Sequence, residues 1–394
     1  MTRVTTPAGP ADPGARASLH PVAGPTAAVV ELVAAWLAAD PEPRPLVVAT
    51  SGSTGRPKRV VLPRAAVVAS ARATAAHLGA EGRWLLALPV SYVAGLQVVV
   101  RSLLAGAPPV LGEDHETLGD AVDDLLRGGR PGLCSLVPTQ LARLLEDEDG
   151  TAALARLRAV LLGGGPVDPA LRARAEAYGV RVVATYGASE TAGGCVYDGR
   201  PLPGVRVRIE ATEDVPAGTG AGTGAGRILL GGPTIAAGYE DDPALSAETF
   251  VDGWYRTADA GRLHPDGTLQ VLGRLDDVVL SGGVNVPAGA VAARLREHPA
   301  VREAEVVGVP DDEWGQRVAA VVVASGPAPS LAQLRDFVGA TLPRAWAPRS
   351  VRVVDALPLL GTGKVDRLAL APLARGSTAS TASTGAPDDT EDER

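Results

Sequence analysis

Between residues 46 and 184 short apolar runs rich in Val and Leu alternate with stretches of Ala, Arg and Leu at helical spacing. That alternation restricts the chain to an α/β fold, with sheets flanked by helices. Strands are expected at Leu46–Ala49, 84–88, 132–137, Ala159–Leu162 and 180–184, and helices at 65–78, 117–126, 139–145 and 169–178. A further helix is read over 27–39, where the apolar residues of AAVVELVAAWLAA hold helical register up to Asp40 and Pro41. The aromatic residues are only 5 Trp, 6 Tyr and 2 Phe, so Ala, Val and Leu must fill the core.

A second pattern begins after Arg274. It comprises a hairpin region over 278–285, a helix over 287–298, strands at 304–309 and 317–324, a helix over 331–341 and a strand at 350–354. Four parts are therefore expected: a loose arm (1–25), a large domain with a β-rich part (26–275), a small mobile α+β domain (276–372) and a disordered acidic tail (373–394). The Gly- and Ala-rich stretch 210–226 reads as a flexible loop between β-rich segments. The net charge of −8 owes half to residues 388–394, where five acids face one Arg. An acidic chain without basic runs argues against a nucleic-acid binder. Two cysteines, Cys134 and Cys195, are too few for a disulfide framework and favour a reducing compartment. No apolar leader stands in the first 25 residues, and the uncharged run 84–100, which no other exceeds in length, is interrupted by Pro89, Gly95 and Gln97. A cytoplasmic protein without a membrane span is expected. The five His residues show no metal-ligand spacing.

Of the 37 Lys plus Arg residues only two, Lys58 and Lys364, are lysine. A chain that uses Arg for generic surface cations keeps Lys where a compact, mobile ammonium is needed. Both stand in glycine-containing motifs. The first, Thr50-Ser51-Gly52-Ser53-Thr54-Gly55-Arg56-Pro57-Lys58, follows an apolar strand. Its small residues let backbone N–H groups approach an anion, its hydroxyls can donate to phosphate oxygens, and Lys58 adds a point charge. The spacing of Gly52 and Gly55, with Pro57 before the lysine, departs from the Walker A pattern, so a P-loop NTPase is excluded.

This motif resembles the phosphate-binding loop of the adenylate-forming superfamily, which includes acyl-CoA synthetases, adenylation domains and luciferases. The other motifs of that superfamily follow in order. Gly163-Gly164-Gly165-Pro166 is similar to its adenine-side loop, and Tyr186-Gly187-Ala188-Ser189-Glu190-Thr191 to the segment contacting the α-phosphate and metal. Gly253-Trp254-Tyr255-Arg256-Thr257-Ala258-Asp259 resembles the ribose-binding segment, Gly273-Arg274-Leu275-Asp276-Asp277 the hinge, and Gly361-Thr362-Gly363-Lys364-Val365-Asp366-Arg367 the catalytic-lysine loop.

The resemblance implies ATP, Mg²⁺ and coenzyme A as reactants and cofactors, with a small carboxylic acid as substrate. It gives Glu190 to the metal, Ser189 to the α-phosphate, Asp259 and Arg274 to the ribose, Lys364 to catalysis, Asp276 to a hinge and the turn at Gly282 and Gly283 to the pantetheine arm. Residues 88–98 and 189–199 further resemble short actinobacterial 2-succinylbenzoate–CoA ligases of menaquinone biosynthesis. One departure is Tyr92, where those ligases usually carry His. Tyr92, Gly95, Gly193, Gly194 and Tyr197 are the expected acyl-pocket residues, the two tyrosines as hydroxyl donors, while Cys195 reads as a small apolar wall residue. A carrier-loading adenylation enzyme and a non-catalytic nucleotide-binding protein remain the alternatives in other classes.

Overall fold

In the computed structural model, which describes residues 20–41, 43–50, 57–212, 224–361 and 363–375, contacts divide the chain into two units. The first is Met1–Asp277 with Leu359–Asp366, and the second is Val278–Pro358 with Arg367–Arg394.

Among the described residues the first unit holds three sheets. β1 (His20–Pro21), β2 (Leu46–Ala49) and β3 (Arg59–Leu62) lie side by side, with β13 (Gly238–Tyr239) beyond β3. The largest sheet is formed by β4 (Arg83–Leu86), β5 (Val110–Leu111), β6 (Gly132–Leu136), β7 (Ala159–Leu162), β8 (Val182–Ala188), β9 (Gly193–Tyr197) and β10 (Arg200–Pro201). Its order is β10-β9-β8-β7-β6-β4-β5, parallel from β5 through β8 and antiparallel beyond. Every residue of β6 and β7 is buried, the pattern of a parallel strand covered on both faces.

The covering helices are α1 (Thr26–Ala38), α2 (Arg64–Leu78), α3 (Val93–Leu104), α4 (Leu118–Leu126), α5 (Pro138–Leu144), α6 (Glu148–Ala155) and α7 (Pro169–Ala177). A third sheet contains β11 (Arg206–Glu210), β12 (Ala225–Gly231), β14 (Phe250–Val251), β15 (Trp254–Leu263) and β16 (Leu269–Arg274), with α8 (Pro243–Thr249) before β14. The second unit is α+β. Its strands β17 (Val278–Ser281), β18 (Val284–Pro287), β19 (Val301–Asp311), β20 (Gly315–Ala324) and β21 (Ser350–Val353) carry α9 (Ala288–Arg296), α10 (Leu331–Gly339) and α11 (Arg367–Arg375). Val, Leu and Ala dominate both cores, as the scarcity of aromatics requires.

Several expectations need correction. Part of the supposed loose arm is structured: His20–Pro21 pairs in parallel with Leu46 and Val47, and Val22 belongs to the core. The tail cannot begin at residue 373, because α11 runs to Arg375 despite Pro372. By contacts alone the segment Leu359–Asp366, which carries Lys364, groups with the first unit, and this does not displace the boundary expected for the small domain. Helices α3 and α6 were not foreseen, and β8 extends four residues past the expected strand to Ala188. Ser51, Gly52, Ser53, Thr54 and Gly55, Thr362, most of the expected 210–226 loop (213–223) and residues 1–19 and 376–394 lie outside the described residues.

Candidate active site

Parallel strands converge their carboxyl ends, and there the sequence places its glycines. β7 ends at Leu162 and leads into Gly163-Gly164-Gly165. A Cβ at Gly163 would stand 2.3 Å from Thr185 Oγ1, and one at Gly164, where φ is +82°, 2.8 Å from Lys364 Cε. Glycine is needed at 164 both for the left-handed backbone and for the lysine stem that crosses it. Thr139 Oγ1 donates to the Gly363 carbonyl at 2.8 Å, which fixes the lysine loop beside α5. The Lys364 side chain is exposed overall, yet surrounding protein withdraws enough water from the ammonium to push it below its ordinary value. Arg274 acts in the same direction and Glu190 opposes it.

β8 ends at Ala188 and turns through Ser189–Thr191. The turn is held by the Ala188 N–H donating to Thr191 Oγ1 (2.9 Å) and by that hydroxyl donating to the Gly193 carbonyl (2.7 Å). Gly187 allows the return strand to approach, since a Cβ there would lie 2.3 Å from the Gly193 oxygen. Glu190 is consequently buried at 7% exposure. Its Oε1 accepts from the Tyr239 hydroxyl at 2.8 Å, while Oε2 has no hydrogen-bond partner among the described residues. The Lys58 ammonium lies 5.2 Å above the Tyr239 ring. The phosphate-loop base is stapled shut: the Thr50 N–H donates to the Lys58 carbonyl (2.8 Å), and the Lys58 N–H donates to Thr50 Oγ1 (3.3 Å). Tyr239 thus joins Lys58 to Glu190, a link that sequence reasoning missed. The available signal was the scarcity of tyrosine, with a Gly-Tyr pair in β13 beside β3.

Asp259 and Arg274 are cross-strand partners in β15 and β16, so a separation of fifteen residues becomes one site. Asp259 Oδ2 accepts from the Tyr186 hydroxyl at 2.7 Å, and Oδ1 stands 3.8 Å from Arg274 Nη1. Burial raises the Asp259 carboxyl above its usual range, against the lowering effects of Tyr186 and Arg274. The Tyr186 hydroxyl is itself pushed upward by burial and by Asp259. Arg274 grips Asp276 with Nε and Nη2, and this ion pair holds the guanidinium above its ordinary value. Asp276 stands one residue before the first unit ends at Asp277.

On the expected acyl side, Tyr92 precedes α3 and is half-buried. Gly95 has a steric reason: a Cβ would stand 2.3 Å from the Pro89 carbonyl. Gly193 (φ +101°) lies beside Gln97, and Gln97 Nε2 donates to the carbonyls of Val67 and Ala192 at 3.2 and 2.8 Å. Gly194 faces the Tyr197 ring, 2.9 Å from a built Cβ. The Tyr197 expectation fails in one respect. Its hydroxyl is fully buried and engaged by Thr74 Oγ1 (2.9 Å) and Arg101 Nη2 (3.3 Å), so it cannot donate to an acid. The Cys195 thiol is buried and pushed up to about 12 by desolvation, which fits an inert wall. Gly282 and Gly283 form the β17–β18 hairpin turn of the second unit, with φ of +58° and +78°.

The donor set suits Mg²⁺. One buried carboxylate, Glu190, with an open oxygen is what that ion needs when substrate phosphates and water complete its shell.

Residues 34–240 match the model of the AMP-binding enzyme family, and residues 290–364 that of the AMP-binding enzyme C-terminal domain. A probable 2-succinylbenzoate–CoA ligase of Mycobacterium tuberculosis is 48% identical over 335 residues, covering 82% of this chain and 83% of that protein. Among solved structures, Bacillus subtilis o-succinylbenzoate CoA synthetase with its acyl-adenylate intermediate matches with a TM-score of 0.69. It is 30% identical, over 84% of this chain and 69% of the other. The same B. subtilis enzyme with ATP and magnesium ion gives a TM-score of 0.69, 30% identity and 84% and 70% coverage.

Proposed function

Because the chain belongs to the AMP-binding enzyme family, we propose that it is an ATP-dependent acid–CoA ligase whose acid is 2-succinylbenzoate. The observation that supports this chemistry is Lys364 lying against Gly164 with its ammonium under the influence of Arg274 and Glu190, while Arg274 is the cross-strand partner of Asp259. A carboxylate oxygen attacks the α-phosphorus of ATP, the bond to the β-phosphate oxygen breaks, and pyrophosphate leaves. A thiol then attacks the acyl carbon of the acyl-adenylate, and AMP departs with the former carboxylate oxygen.

Two anions must meet in the first step, so concentrated positive charge is required there. Lys58 and Lys364 supply it from the protein, and Mg²⁺ held by Glu190 would neutralise triphosphate charge. Asp259 accepts from ribose hydroxyls, with Tyr186 fixing the carboxylate and Arg274 donating beside it. The ammonium of Lys364 is depressed without nucleotide, and a phosphate anion beside it favours the charged form again. We read Asp276 as the pivot between the two half-reactions, and the Gly282–Gly283 turn as the contact for the thiol-bearing arm.

2-Succinylbenzoate carries a second carboxylate on its ring, which must find donors in the pocket or suffer a desolvation penalty of a few kcal/mol. With Tyr197 engaged elsewhere, Tyr92 and backbone N–H groups near Gly193 and Gly194 are the donors we assign to it. A cytosolic setting fits the two buried, reduced cysteines. Incubation with ATP, Mg²⁺ and 2-succinylbenzoate alone should accumulate acyl-adenylate and pyrophosphate, and CoA should then release AMP and thioester. An adenylate that CoA fails to discharge would instead mark a carrier-loading enzyme.

A further inference from the structure

Away from the nucleotide site, α2, β4 and α3 enclose a cavity of about 30 Å³ between Ala71, Ala75, Trp84 and Arg101, with Arg72 and Glu81 exposed at its mouth. Trp84 is the second residue of β4 and Arg101 lies in the last turn of α3. The cavity therefore sits at the amino ends of the parallel strands, whereas Gly163 and Glu190 follow the carboxyl ends.

Arg101 is only 7% exposed. Its Nη2 donates to the Tyr197 hydroxyl at 3.3 Å, and its guanidinium lies 5.1 Å over the Trp84 ring. Nε is buried with no hydrogen-bond partner, and among the described residues no carboxylate pairs with this charge. Desolvation pushes the guanidinium below its ordinary value, with the Tyr197 hydroxyl opposing. A buried cation without a counter-charge is costly, and an orphaned buried donor asks for an ion or water to answer it.

We propose that this cavity is a second ligand site that takes a small monovalent anion, such as chloride or formate, against Arg101. Roughly 10–15 Å³ suffices for a water, so the volume seats one small ion and excludes phosphate esters and aromatic acids. A water would satisfy Nε but leave the charge uncompensated. The anion completes a line of contacts from Arg101 through the Tyr197 ring to Gly194, and so steadies the strand β9.

The test uses the full chain with AMP saturating the nucleotide site, so that Lys58 and Lys364 do not compete for the probe. Chloride is followed by the width of its ³⁵Cl resonance, and formate is added as competitor. The wild type should broaden the signal, formate should reverse the broadening, and Arg101→Met should abolish it. Exchanging gluconate for chloride at constant ionic strength should raise the wild-type melting temperature saturably. Ala75→Leu fills the cavity without touching Arg101, and it should also remove the broadening should Arg101→Met fail to fold. Equal broadening by the wild type and by either folded variant, or no broadening by the wild type, would overturn the assignment and leave water as the occupant.

Discussion

Gly164→Ala perturbs the position of the catalytic lysine without altering its charge. The new methyl carbon would stand 2.8 Å from Lys364 Cε. Ordinary carbon–carbon contacts are about 3.5–4.0 Å, so the lysine must retreat by about 1 Å. A displacement of that size costs about 10²-fold in rate where geometry governs the step. The φ of +82° adds a strain of about 1–2 kcal/mol, a fall of about 2–8 °C in melting temperature for a unit of this size. Gly106 has the same φ of +82° with nothing within 4 Å, so Gly106→Ala reports the strain alone. Pyrophosphate release with acid and ATP measures adenylation, and CoA-dependent consumption of supplied acyl-adenylate measures the second half. Gly164→Ala should lose the first selectively while Gly106→Ala keeps both. Adenylation within threefold of wild type, or equal loss in both halves, would refute the reasoning.

Lys364→Ala should lower adenylation by about 10²-fold or more and spare transfer to CoA; equal losses would assign the lysine elsewhere. In the absence of nucleotide Lys364 releases its proton at lower pH than a free lysine, so kcat/KM for adenylation should fall on an alkaline limb below the usual lysine range. The unfolded chain binds that proton more tightly, so this group's contribution to stability improves as pH rises. The limb should vanish in the residual activity of Lys364→Ala, and its persistence there would point to another group. Tyr197→Phe should cost about 1–3 kcal/mol, read by denaturant unfolding, because Thr74 and the buried Arg101 lose their shared partner; an unchanged midpoint would contradict the network. Asp276→Pro should reduce the two half-reactions unequally, since it fixes φ near −65° at the proposed pivot, and parallel losses would place the pivot elsewhere.

What could be read from the sequence was what depends on local order. The strand Ala159–Leu162 followed by three glycines announces a strand end facing a ligand, and the motifs containing Glu190 and Asp259 carry their own spacing. Contacts made by folding were less accessible. Tyr239 reaches Glu190 only because β13 pairs with β3, and Arg101 meets Tyr197 only through α3 crossing behind β9. Tyr197 looked like a pocket donor because it stands in the segment 189–199 that resembles the ligases, but β9 carries its hydroxyl into the core. Helix α3 was hidden by Pro89, Gly95 and a run of valines without polar alternation. Its Gly95 answers a close approach to the Pro89 carbonyl, not a break. In α11, Pro372 and the nearby low-complexity tail masked a helix whose Leu370 and Ala374 are buried in the second unit.

The central claim is tested most directly by kcat/KM for AMP release, with CoA present, across a panel of acids. 2-Succinylbenzoate should exceed 4-phenyl-4-oxobutanoate, which lacks only the ring carboxylate, by about 10³-fold or more, because the donors that meet that carboxylate would otherwise stand unpaired. Benzoate and medium-chain fatty acids should rank lower still. A panel in which any monocarboxylate wins would contradict the assignment of 2-succinylbenzoate.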